Sequence, residues 1–146
     1  MNALRLLLAA LAALLLAVMV TSSCAATSAG GLLPEGTLAP CPSSPNCACS
    51  EGPRARVAPL EFTGDPDAAF ASLIEFLRAE PRVELVTVEP NYVHAVFRTV
   101  LLRFRDDLEL RLDREGHRIH VRSASRVGYS DLGANRKRIE SLRERS

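Results

Sequence analysis

The residues best suited to chemistry lie in two stretches, Arg103-Phe-Arg-Asp106-Asp107-Leu-Glu109 and Arg122-Ser123-Ala-Ser125-Arg126-Val-Gly-Tyr129-Ser-Asp131-Leu-Gly-Ala-Asn135. Arginine presents a planar fork of donors that matches carboxylate or phosphate. Serine, tyrosine and asparagine can complete such a contact. The expected ligand-binding set is therefore Arg122, Ser123, Ser125, Arg126, Tyr129, Asp131 and Asn135, with Asp106, Asp107 and Glu109 across a hairpin. Its expected partner is an anionic small molecule or an envelope protein. The competing reading for the arginines and carboxylates is a solvated sheet face laced with weak cross-strand ion pairs. For Asp106 the competing readings are a structural carboxylate paired with a serine hydroxyl or an arginine, and an acid–base group.

Several chemistries lack their residues. No G-x-x-x-x-G-K phosphate loop is present, and Asp131, as a helix cap, would occupy the amides that an anion needs. No Ser-His-Asp arrangement follows from the spacing of His94, His117 and His120. Cys41, Cys47 and Cys49 depart from zinc-ligand spacing, so no metal and no cofactor are expected. No catalytic residue is assigned. The expectation is a non-enzymatic binding or accessory module; the alternative is an enzyme using Asp106 or Asp107 as acid–base on an anionic substrate. A formal net charge of +1 offers no field for nucleic acid.

The elements that must position these groups are legible from periodicity. Asp65-Pro66-Asp67 is a helix start, and Phe70, Leu73, Ile74 and Leu77 form one stripe of a helix over 66–79 that Pro81 stops. Arg56 to Phe62 reads as an edge strand, and 82–89 and 92–99 as two strands turning at Pro90-Asn91. From Leu102 to Leu112 apolar residues alternate with Arg103, Arg105, Asp107, Glu109 and Arg111, with Asp106 alone in phase with the leucines. After a turn at 113–116, Ile119, Val121, Ser123 and Ser125 face inward, and His120, Arg122 and Arg126 outward. The tightest register sets 112 against 117, hence Asp107 against Arg122 and Glu109 against His120; a slip of two residues keeps the faces. Asp131 caps a last helix over 132–145, with Leu132, Ile139 and Leu142 as its apolar stripe. Gly128 is expected at positive φ, with Tyr129 packed. The expected fold class is α+β: an antiparallel sheet of four or five strands with two helices on one face, in the order β-α-β-β-β-β-α.

At the N-terminus, one arginine precedes the uncharged run Leu6–Val20, followed by Thr21-Ser-Ser-Cys24. This is the layout of a secretory signal. Cys24 resembles the lipidated cysteine of a bacterial lipobox, although Thr21 stands where leucine is usual. Cleavage after Ala25 or Ala26, or a retained signal anchor, are the alternatives. The expected organisation is a signal peptide over 1–23, a lipidated Cys24 opening a flexible tether over 24–40, and one globular domain over 41–146. The protein would then be anchored to a membrane of the bacterial cell envelope through Cys24. In that oxidising compartment a Cys41–Cys47 disulfide closing the small Pro-rich ring is the plain reading; Cys49 is left over and competes with Cys47 for Cys41.

Cys41-Pro-Ser-Ser-Pro-Asn-Cys47, Arg103-Phe-Arg-Asp-Asp-Leu-Glu109 and Arg122 to Arg136 together resemble the domain-of-unknown-function family DUF1499, over Cys41 to the C-terminus. That family occurs in bacterial envelope proteins and plant plastids. The resemblance implies no particular activity. Serine is usual where this chain has Cys49, which supports pairing Cys41 with Cys47.

Overall fold

The computed structural model describes residues 30–100 and 103–145. Cys24, the signal region 1–23 and Leu102 lie outside the described residues. The elements run β1 (Cys47–Cys49), β2 (Leu60–Glu61), α1 (Pro66–Ala79), β3 (Val83–Glu89), β4 (Tyr92–Arg98), β5 (Arg105–Asp113), β6 (Arg118–Ser125) and α2 (Ala134–Arg143). One antiparallel sheet has the order β1-β6-β5-β4-β3, and β2 pairs with the other half of β6. The class is α+β as expected, with six strands rather than four or five. The added strand is β1, which the Pro-rich sequence before it disguised as a loop.

Helix α1 forms as its signals dictate. Asp65 is the N-cap, its side chain accepting from Ala68 N–H, and Pro66 opens the helix. Phe70, Leu73 and Leu77 are buried. They meet Ile139 and Leu142 of α2 over Val93, Ala95, Leu108, Leu110, Leu112, Ile119 and Val121, so both helices share one face of the sheet.

Two expectations are corrected by geometry. The β5–β6 register is slipped by two: Leu112 pairs with Ile119, Leu110 with Val121, and Glu109, not Asp107, with Arg122. The cause lies at the turn. Asp113 Oδ1 accepts from Gly116 N–H at 3.0 Å, and His117 takes φ 49°. The loop thus holds four residues between the paired Asp113 and Arg118. Phe62 secures this longer turn, donating its N–H to His117 O and lying 5.7 Å from the His117 ring.

The second correction concerns the tether. From Gly30 onward the segment expected as flexible is folded against the sheet. Leu32 bridges Leu38, Leu33 N–H donates to Thr37 O, and Leu38 is buried. This hairpin-like strap covers the face opposite the helices. Gly30 lies so close to Ala39 that an added Cβ would sit 2.3 Å from the Ala39 Cβ, which only glycine allows. The domain boundary therefore lies upstream of Cys41. Beneath the strap, Cys41 is bonded to Cys47, with Cα atoms 5.7 Å apart. That bond resolves the competition between Cys47 and Cys49, and leaves Cys49 a buried thiol that burial pushes up in pKa. Among the described residues no helix is long and apolar enough to cross a membrane.

Candidate functional site

The sheet carries a polar layer on each face, and the residues expected to bind a ligand divide between them. Under the strap, Glu109 is wholly buried (0% exposed). Its carboxylate accepts from Arg122 Nη1 at 2.7 Å, Tyr92 Oη at 2.8 Å, Gly31 N at 2.7 Å and Gly30 N at 3.2 Å. Burial first, and the Glu109 charge second, hold the Tyr92 phenol far above its ordinary pKa, so it stays a donor. Asp107, one row along and 1% exposed, is gripped by both Arg126 Nε (2.9 Å) and Nη2 (2.7 Å), and by His94 Nε2 (2.8 Å). Burial alone would raise the Asp107 pKa. The hydrogen bonds from His94 and Arg126 outweigh it and hold the carboxyl below the usual range.

At the far edge of this layer Glu51 pairs with Arg111, accepts from Leu38 N–H at 2.8 Å and lies 3.6 Å from His120. Burial pushes the His120 imidazole below its ordinary pKa, helped by Arg111 and Arg118 and opposed by Glu51 and Asp113. The unfolded chain takes up this proton near pH 6.5, whereas the folded chain resists it. The contribution of His120 to stability is thus complete above about pH 6.5 and is lost as pH falls through the folded value. A His120→Gln variant is expected to lose less thermal stability than the parent between about pH 7 and pH 5, measured by melting in matched buffers. Identical pH slopes would show that His120 is not buried neutral.

On the helix face, Asp106 is held by Arg138 Nη2 at 2.7 Å. Arg138 Nη1 reaches Ser123 Oγ at 2.8 Å and Asn135 Oδ1 at 2.6 Å, and its guanidinium lies 4.5 Å from the Phe97 ring centroid. Asn135 Nδ2 donates to Ser125 Oγ and to Asn46 O; Asn46 Nδ2 donates to Gly128 O at 2.6 Å. This chain of contacts fastens the β6–α2 loop to the sheet. Of the partners expected for Asp106, a serine hydroxyl or an arginine, the structure supplies the arginine, from α2.

Arg122, Ser123, Ser125, Asn135, Asp106, Asp107 and Glu109 are therefore brought together, but as buried groups bonded to one another in two layers, with Arg122 Nε alone among their buried side-chain N and O atoms left without a partner. They do not form one open site, nor a solvated sheet face. Neither Asp106 nor Asp107 has the setting of an acid–base group: each is locked to an arginine, and Asp107 is held ionised.

What opens to solvent is the loop between β6 and α2. Gly128 takes φ 86°, as expected. Tyr129, expected to pack, is 77% exposed. Leu132, expected in the helical stripe, is 90% exposed at φ 53°. The physical reason lies in Asp131. Its carboxylate reaches past Leu132 to Gly133 N–H (3.0 Å) and Asn135 N–H (2.8 Å), and its carbonyl takes Ala134 N–H. The helix starts at Ala134 behind a left-handed Gly133 without a side-chain cap, so Leu132 is turned outward. Burial would raise the Asp131 pKa, but these amide bonds lower it.

Two hollows flank the loop. One of about 260 Å³ is bordered by Arg56, Ser130, Asp131, Asn135 and Arg136; the other, of about 170 Å³, by Phe104, Val127 and Leu132 with Asp106 and Ser125 beneath. Sequence reasoning passed over Asn46 and Arg138 as network members. Arg138 follows Asn135 by three positions on the helix, the spacing that puts both on one face. Among the described residues no cluster of His, Cys, Asp or Glu has the arrangement to hold a metal ion.

No curated protein and no solved structure matches the chain. A family model, protein of unknown function (DUF1499), matches residues 37–145. That span begins inside the strap and ends just past α2, so it takes in the residues of both polar layers from 37 onward and the exposed loop; the chain belongs to the DUF1499 family.

Proposed function

We propose that the protein is a non-enzymatic binding module, anchored to a membrane of the bacterial cell envelope by lipid on Cys24, and that the β6–α2 loop is its binding surface. One observation carries the reading. Leu132 and Tyr129 are held almost fully in water on a loop whose base is fastened by buried hydrogen bonds through Asn46 and Asn135. A bulky side chain gains no burial there, and Leu132 also pays for a left-handed backbone. Such strain is characteristic of functional positions. The Cys41–Cys47 disulfide fits an oxidising compartment. Of the residues first expected to touch the ligand, Asp106, Ser123, Ser125 and Asn135 brace the loop from below, while Arg122, Arg126, Asp107 and Glu109 lie in the layer on the opposite face.

Leu132→Asn is expected to raise stability by about 1 kcal/mol, because asparagine tolerates the left-handed region, while weakening binding. Urea unfolding measures the first effect. For the second, a photoreactive side chain is placed at position 129 or 132 of the intact chain in cells, with Glu75 on α1 as the control position. Adducts specific to the loop support the reading; equal labelling at all three positions overturns it. The anchor is tested separately by Cys24→Ser, which should release the chain from the membrane fraction.

A further inference from the structure

We infer that the end of the domain bearing this loop seats on an anionic phospholipid leaflet, an inference that rests on the lipid-anchored reading above. Phe104, Val127 and Leu132 border one hollow, and exposed Tyr129 lies on the same loop. Thr99 joins that hollow to a groove of about 430 Å³, which Val100, 72% exposed, also lines. That groove is lined by Arg82, Arg98 and Arg103. Arg98 is committed to Glu84 at 2.9 Å. Arg82, Arg103 and Arg105 are exposed, and none of them has an ion-pair partner among the described residues. Aromatic and aliphatic tips framed by arginine match the two zones of a leaflet, acyl boundary and phosphate layer.

The opposite end of the sheet has the opposite character. Glu89, Asp113 and Glu115 stand at its turns, and Asp65 and Asp67 open α1 beside them; the arginines at this end, Arg114 and Arg118, are committed to Asp67 and Asp113, which leaves the carboxylates in excess. The molecule is thus polarised along its strands, and only one end suits a negative surface.

Chain reach permits this orientation; Gly30 is held at Glu109, the middle residue of β5, so either end of the strand is within reach, and charge and apolar character choose between them. Because the strap is folded from Gly30, only five residues separate Cys24 from Gly30, six Cα steps that span at most roughly 20 Å. Gly30 is bonded to Glu109, four residues along β5 from Arg105, or about 14 Å of strand. The anchor and the apolar end can therefore meet one leaflet together. A lipid that only tethered the domain would leave this end in water, whereas the short link keeps its local concentration at the surface high.

The chain has no tryptophan, so Tyr129→Trp supplies a single reporter. The full-length lipidated chain is reconstituted into vesicles of phosphatidylcholine with phosphatidylglycerol, with and without brominated acyl chains. The expected result is a blue-shifted emission quenched by bromine and weakened in pure phosphatidylcholine. Glu75→Trp, on exposed α1, should stay unquenched. Adding Leu132→Asp with Arg103→Glu to the reporter variant should lower the quenched fraction about tenfold or more.

Flotation and intact mass separate the two ideas. A chain that carries the diacyl mass and floats, yet keeps a water-exposed indole, overturns the docking inference alone. An unlipidated chain that neither floats nor quenches overturns both. An unlipidated chain that still binds anionic vesicles through the loop sustains the inference without the anchor. A loop that crosslinks to a protein and stays unquenched is a protein interface and overturns it.

Discussion

Glu109→Ala is expected to destabilise the fold by about 3–5 kcal/mol, the range for removing one member of a buried ion pair. Among the described residues the carboxylate is the only charge paired with Arg122, whose side chain is 6% exposed and whose Nε already lacks a hydrogen-bond partner. Its loss also strands the Tyr92 hydroxyl and frees the amides of Gly30 and Gly31. The strap should therefore loosen along with the global loss, seen as faster hydrogen exchange over 30–40. Urea unfolding of Glu109→Ala, Arg122→Met and the double variant measures the coupling. The double variant should recover part of the loss, because it removes the stranded guanidinium. Recovery stays incomplete, because Tyr92 and the two glycine amides still lack their acceptor. A single-variant loss below about 1 kcal/mol would mean that water reaches this layer, and the buried ion pair would no longer account for the strap.

Asn135→Ala should cost about 2–4 kcal/mol through a different mechanism, the stranding of buried neutral polar groups. Asn135 accepts from Ser123 Oγ at 2.7 Å and Arg138 Nη1 at 2.6 Å, and donates to Asn46 O at 2.9 Å and Ser125 Oγ at 3.0 Å. Alanine is a better helix former, so propensity on α2 works against the loss and cannot cause it. The diagnostic readout is local: amides of 126–133 should exchange faster while those of central β5 remain protected. If the loop stays as protected as in the parent, Asn46 and Asp131 alone hold it. A variant that folds with a loosened loop should also show weaker crosslinking at position 129, connecting the buried network to the exposed surface.

Much of the scaffold was legible in the sequence. Asp65 and Pro66 announced α1, and its stripe of Phe70, Leu73 and Leu77 is the buried one. Alternation along β5 and β6 assigned each side chain to its correct face, and a slip of two residues preserved those faces. The departure of Asp106 from the apolar phase announced a buried carboxylate needing a partner. Such features are local: a periodicity or a cap is written within a few residues, and the backbone obeys it wherever the segment is placed.

What alternation could not say was what lies over each face. Asp107, Glu109 and Arg122 read as solvated because a charged row opposite a leucine row normally is. They are buried because a strap 79 residues away in sequence folds over Glu109. The β5–β6 register was likewise decided from a distance, by Phe62 settling on His117 and lengthening the turn. Tyr129 and Leu132 were assigned to packing by residue type, and only the reach of Asp131 past Leu132 to the helix amides turns the leucine outward. Sequence by itself thus determined the elements, their faces and the need for buried partners, through short-range sterics and hydrogen bonding. The tertiary structure decided which charges are sealed from water and which apolar side chains are left in it, because burial depends on segments that meet only when the chain has folded.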